Sequence, residues 1–137
     1  MSLYFRAQAL FICLAALVGG GLWVKQAIHD SHTLPVEAVV STIDRMCIWK
    51  DDHSGTSERR TCTHDDVEGG YKKTDKGTEY VEGDAVIHFT YLAPQDMVER
   101  PGELKLTGKD PRFYSLAAGD ALPIRVAKDD PAAFEVR

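Results

Sequence analysis

Cys47, His53, Cys62 and His64 are the residues of this 137-residue chain best suited to chemistry. Thiolates and imidazoles could together hold a zinc ion, which takes four such ligands in a tetrahedron. The two thiols could also work as a redox-active pair, or oxidise once as a structural staple. Spacing discriminates among these. Cys62-Thr63-His64 sets two ligands closer along the chain than metal sites usually do, and no Cys-x-x-Cys occurs. A reactive pair would want that motif or a helix N-terminus to lower a thiol pKa. The staple fits better. Asp51-Asp52-His53-Ser54-Gly55 reads as a turn, and a hairpin centred between Ser54 and Gly55 sets position 47 directly opposite position 62. Outside the cytoplasm such a pair oxidises. Closing a loop of about 15 residues contributes roughly 3 kcal/mol in the chain-entropy model. Cys13 lies in an apolar run and is expected to be inert.

Other candidates are weaker. Asp65-Asp66-Val67-Glu68-Gly69 is acidic but lacks the alternating ligand spacing of a calcium loop, and reads as a solvated turn. His88 stands alone on a strand, where a packed or exposed position is commoner than a general base. Gly-x-Ser-x-Gly, Gly-rich phosphate loops and His-Glu-x-x-His are absent from the sequence. The chain is therefore expected not to be an enzyme and to need no cofactor or metal. Its formal charge is −5. The excess is concentrated from Lys25 onward, where 15 of the 16 basic residues face all 21 acidic ones. That balance argues against nucleic acid, whose phosphates demand a basic footprint. It also argues against binding an anionic lipid surface by charge alone. The chain has no Asn, which excludes N-linked glycosylation and leaves Gly and Asp to make the turns.

The elements that must position these residues divide the chain into a membrane anchor over 1–25, a linker over 26–35 and one β domain over 36–137. From Ala7 to Val24 the only strongly polar side chain is Gln8. As a helix of about 18 residues it would span roughly 27 Å, enough for a bilayer core. Trp23 and Lys25 suit the far interface. The rival is a cleaved signal peptide, but Val18 with Gly20, or Gly19 with Gly21, makes a poor cleavage site beside Ala-x-Ala. Ala15 with Gly19, and Ala16 with Gly20, are spaced to let a second helix approach, although small residues are common in such segments. A short tail before a long domain favours a cytoplasmic N-terminus, with the domain periplasmic or extracellular at a bacterial inner membrane.

Past the linker, which Pro35 is expected to stop, strand signals dominate. Val36, Ala38 and Val40 alternate with polar neighbours, and that strand can continue through Met46-Cys47-Ile48-Trp49. Ser57 to Thr63 is the expected return arm, and Asp65 to Lys76 a loop. Thr78 to Val81 is a short strand. Ala85 to Ala93 is the strongest, with Ile87, Phe89 and Tyr91 on one face and Pro94 as its stop. Pro101-Gly102 reads as a turn before a short Leu104-Lys105-Leu106. Phe113 to Leu116 is a further candidate strand. Leu122 to Val126 contains Pro123, which cannot donate to a ladder, so an edge or bulge is expected there. About six strands without a convincing amphipathic helix imply an all-β small barrel or sandwich behind one transmembrane helix.

The tail Gly119-Asp120-Ala121-Leu122-Pro123-Ile124-Arg125-Val126-Ala127-Lys128-Asp129-Asp130-Pro131-Ala132 resembles the closing strand of membrane-tethered bacterial proteins of domain-of-unknown-function family 3592. The opening is similar too: an apolar helix, a polar linker, then Val36-Glu37-Ala38-Val39-Val40. Together the two stretches cover about half the chain. Ala127-Lys128-Asp129 departs from the aromatic that usually precedes Asp-Pro in that family, and Met46 to Lys76 has no counterpart. The resemblance implies a small β-barrel beside a membrane and no known activity. The expected function is contact with other proteins, as an accessory subunit of a membrane complex. The alternatives are a metal-binding or redox protein using Cys47, His53, Cys62 and His64, and a secreted ligand-binding β-barrel.

Overall fold

The computed structural model describes residues 31–51, 53–75 and 77–137. The apolar segment Ala7–Val24, with Cys13, Ala15, Ala16, Gly19 and Gly20, lies outside the described residues. Among those described, no helix is long and apolar enough to cross a membrane.

In chain order the elements are β1 (Thr33–Lys50), β2 (Ser57–Thr61), α1 (His64–Val67), β3 (Lys72–Thr74), β4 (Gly77–Glu79), β5 (Gly83–Ala93), β6 (Val98–Thr107), α2 (Arg112–Ser115), β7 (Ala121–Ala127) and β8 (Phe134–Val136). The fold is mostly antiparallel β. Its main sheet runs β6-β5-β1-β7-β8, with β2 paired to the far end of β1, and curls into a half-barrel. Among the described residues β3 and β4 pair only with each other.

β1 begins earlier than the sequence suggests. Thr33, Leu34 and Pro35 are already in register with Ala127, Val126 and Arg125 of β7. The expected linker therefore runs into the strand, and Pro35 does not stop it. Near the strand's start a proline forfeits at most one ladder bond. Further along, the β1–β5 register shifts between Val40 and Thr42. Ser41 is the extra residue of this bulge. It changes which parity faces the core: Val36, Ala38 and Val40 before it, then Ile43, Arg45, Cys47 and Trp49 after it. Val40, just before the bulge, is bonded on its other side by the segment that precedes β7. Gly119 N donates to Val40 O at 2.8 Å, and Val40 N to Asp120 O at 2.9 Å. Gly119 reaches this contact at φ +92, a conformation that favours glycine.

The core lies on the concave face. Ile87, Phe89 and Tyr91 of β5 meet Leu122, Ile124 and Val126 of β7, with Phe113 of α2 among them. Each such side chain, fully buried, contributes about 1.5–3 kcal/mol. Phe134 of β8 closes the end of the cluster, 5.2 Å from the Phe89 ring and 5.6 Å from the Tyr91 ring. The outward positions of β5 (Val86, His88, Thr90 and Leu92) are half-buried or exposed, so the alternation expected for this strand holds.

Three local expectations are corrected. Pro101 and Gly102 lie inside β6, opposite Thr90 and Phe89. The turn comes earlier, at Pro94 to Met97, where Met97 N donates to Ala93 O and Met97 sits at φ 56. An edge strand has an open side on which a missing donor costs nothing, which admits Pro101. Gly102 is required because Phe89 lies across it: a Cβ there would be 2.3 Å from the ring. Second, Phe113 to Leu116 is not a strand, since α2 covers Arg112–Ser115. Asp110 accepts from Arg112 N at 2.9 Å, and Pro111 precedes the turn with helical backbone angles. A short apolar run does not by itself discriminate helix from strand. Third, Asp65 to Lys76 contains α1 and β3 rather than loop alone. Pro123 is a milder case. β7 is not an edge: β1 flanks Pro123 on one side, and on the other β8 pairs with Ile124 to Val126 while Arg137 N donates to the Pro123 carbonyl at 3.4 Å, so the proline sits where that pairing ends.

Candidate functional site

The sequence-derived site residues converge on the ribbon formed by the end of β1 and by β2. Cys47 and Cys62 are joined in a disulfide, with Cα atoms 5.8 Å apart. Both are buried. The ribbon's register differs from simple symmetry about Ser54-Gly55. Cys47 faces Arg60, and Lys50 faces Ser57. Cys62 lies just beyond β2, its N–H donating to Arg45 O at 3.2 Å. The bridge is thus diagonal, two residues from directly opposite. A shift of two preserves the face, whereas a shift of one would have turned the sulfurs apart. The offset comes from the turn. Asp51 N donates to Thr56 O and Gly55 N to Asp51 O, both at 2.9 Å, which moves the centre one residue toward the N-terminus. Asp51 accepts from Ser54 Oγ at 2.7 Å and from His53 N at 2.9 Å, and these bonds hold its carboxyl below the usual range.

His53 is exposed in that turn, and His64 opens α1. Neither approaches a free thiolate, because the sulfurs are bonded to each other. Among the described residues no group of three or more His, Cys, Asp and Glu is gathered to hold a metal. Asp65 and Asp66 instead serve α1. Thr63 caps it: Asp66 N donates to Thr63 Oγ1 at 3.3 Å, while Thr63 N donates to Asp66 Oδ2 at 2.7 Å. The Thr63 amide and then its hydroxyl lower the Asp66 pKa below 3.8. A depressed carboxyl stabilises the folded state above its unfolded pKa, and that support is lost as pH falls through the folded value. α1 is therefore expected to loosen in acid with an Asp66 midpoint below 3.8, followed by the Thr63 amide shift in an NMR titration. A midpoint at or above 3.8 would contradict the cap. His88, on the outer face, lies 3.3 Å from Asp44 with both side chains accessible, a strand-surface pair.

Two residues beside the disulfide escaped the sequence reading. Arg45 is only 6% exposed. Its Nε donates to Phe113 O at 2.9 Å and its Nη2 to Leu116 O. These carbonyls lie at the end of α2, where a helix leaves acceptors unpaired and favours a cation. Burial lowers the Arg45 pKa. The available signal was a charge at core parity in an apolar strand, and the unseen bulge hid that parity. Trp49 is covered by the Arg60 guanidinium, 4.7 Å from its ring centroid. Its buried Nε1 has no partner among the described residues.

Beside them lies an open cleft of about 410 Å³ lined by Trp49, Lys50, Asp51, Thr56, Glu58 and Arg60. Its cations and carboxylates balance, so it selects no sign of charge. Lys50 pairs with Glu82 at 2.8 Å and Arg59 with Asp84 at 2.6 Å. These bridges are exposed, so solvent screens them and they add little to stability. The cleft thus presents charges of both signs on a ribbon joined by the Cys47–Cys62 bond. No family model, curated protein or solved structure matches the chain.

Proposed function

We propose that the chain is a single-pass, membrane-tethered β domain that faces an oxidising compartment and acts through contacts with other proteins. The observation that carries this reading is the buried Cys47–Cys62 disulfide, since such bonds persist in the periplasm or outside the cell and are rare in the cytosol. The apolar run Ala7–Val24 supports the tether, with a bacterial inner membrane and a cytoplasmic N-terminus as its setting. Ala15, Ala16, Gly19 and Gly20 would then offer a face to a neighbouring helix. The likeness to family 3592 belongs to the same proposal. A metal site at Cys47, His53, Cys62 and His64 would need both sulfurs free, so the disulfide counts against it.

Purification of the full chain from membranes in mild detergent tests the proposal. The expected result is an assembly larger than a monomer with one or more stoichiometric protein partners, and an intact mass that includes the N-terminal segment. A free monomer without partners would remove the contact reading. A mass short by about twenty residues would instead indicate signal cleavage and a secreted domain.

A further inference from the structure

We propose that Ser57–Glu79 is an arm latched by the Cys47–Cys62 disulfide, which opens as a unit under a dithiol reductant while β1, β5, β6, β7 and β8 stay paired. The inference goes beyond the tether reading and stands or falls without it. The arm is poorly held by packing. All β2 side chains are exposed, as are those of β4. β2 pairs only with Met46 to Lys50 of β1, and β3 and β4 only with each other. Besides Cys62, Val67 is the one buried hydrophobe among the arm's described residues. Tyr71 adds a half-buried ring 5.5 Å from that of Tyr114. The Arg59–Asp84 bridge at its base is exposed. By contrast, Ile87, Phe89, Tyr91, Leu122, Ile124 and Val126 are buried on β5 and β7, strands with which β2, β3 and β4 do not pair. Segments with few buried apolar contacts open first and open together.

The disulfide changes this balance by joining the arm, just past β2, to the far end of β1. Reduction consumes two electrons and two protons. A thiolate of the dithiol attacks the sulfur of Cys62, the less buried of the two. The Cys47 sulfur leaves and takes up a proton. The second thiol of the reductant then displaces Cys62 as a thiol, and the reductant departs as a cyclic disulfide. The opened arm uncovers Cys47 and the Tyr114 face against which Tyr71 packs.

Hydrogen exchange with mass readout, on the full chain in detergent with and without dithiothreitol, tests the latch. C47A/C62A is the companion variant. Exchange in Ser57–Glu79 is expected to accelerate by on the order of 10- to 100-fold once the bond is cut. β5 and β7 are expected to change by less than about threefold. A matching acceleration in every strand would overturn the proposal by making the bond a staple of the whole domain. So would an unaltered arm in reduced protein, with cleavage confirmed by mass. Should the reductant fail to reach the bond, the double variant decides by the same two criteria. A double variant unable to fold would count as dependence of the whole domain on the bond and would also overturn it.

Discussion

Arg45→Met is expected to lower the stability of the domain by about 3 kcal/mol, the sum of two lost charge-assisted hydrogen bonds less the relief of no longer burying a charge. Methionine fills much of the same volume, so packing changes little and the loss isolates the polar contacts. The carbonyls of Phe113 and Leu116 then lose their donors in a buried setting. Leaving a buried acceptor unmet costs about 1–3 kcal/mol. The opposing term is the desolvation of the guanidinium, visible as a lowered pKa. A base whose folded pKa lies below its unfolded one is destabilised by its charge at every pH below the folded value, so this relief is constant through the neutral range. Two hydrogen bonds are expected to outweigh it because the chain supplies both acceptors at the end of α2. Arg45→Lys is expected to fall between, since a single ammonium cannot reproduce the fork that spans two carbonyls. Urea unfolding measures both. A loss under about 1 kcal/mol for Arg45→Met would show that α2 finds other donors.

Gly102→Ala is expected to cost about 2–3 kcal/mol, although alanine ordinarily suits a strand better than glycine. The added Cβ would lie 2.3 Å and 2.4 Å from two atoms of the Phe89 ring. The ring has little freedom to yield. Phe134 packs edge-on at 5.2 Å, and Tyr91 lies 6.3 Å away with its hydroxyl donating to Pro131 O. β6 must then move away from β5, or Phe89 must leave its rotamer. The mechanism makes a second, sign-specific prediction. Phe89→Leu removes the part of the ring that covers Gly102, so Phe89→Leu with Gly102→Ala is expected to cost less than the sum of the two single changes. A coupling of about 1 kcal/mol or more in the double-mutant cycle would establish the contact, and additivity would refute it.

These two residues mark where reading the chain alone reached its limit. Glycine after proline is a strong local turn signal, yet Pro101-Gly102 is strand. The reason is not local: Gly102 answers to Phe89 on the neighbouring strand. Arg45 carries no local signal of its burial, because its orientation depends on the extra residue at Ser41. Without the bulge, the parity set by Val36, Ala38 and Val40 would turn position 45 to solvent. Nothing in the local composition announces one extra residue. The loop at Gly119 and Asp120, distant in sequence, binds Val40 beside it from the other side. Phe113 to Leu116 was a similar case, because a short apolar run fits a strand or one helical turn and the carbonyl partners that favour the turn come from Arg45.

Where signals were periodic or covalent, the chain sufficed. Side chains alternate along an extended backbone whatever surrounds it, so the inward face of β5 and its end before Pro94 followed from residues 85–94 alone. The Cys47–Cys62 pairing followed from a turn between two arms, and an error of two in register left it intact because two is the period of the strand. Tertiary structure alone decided the half-barrel order of the strands, the bulge at Ser41, the bare Gly102 and the burial of Arg45. Each depends on which distant backbone or ring comes to lie alongside, and that is a property of the packed sheet rather than of any window of sequence.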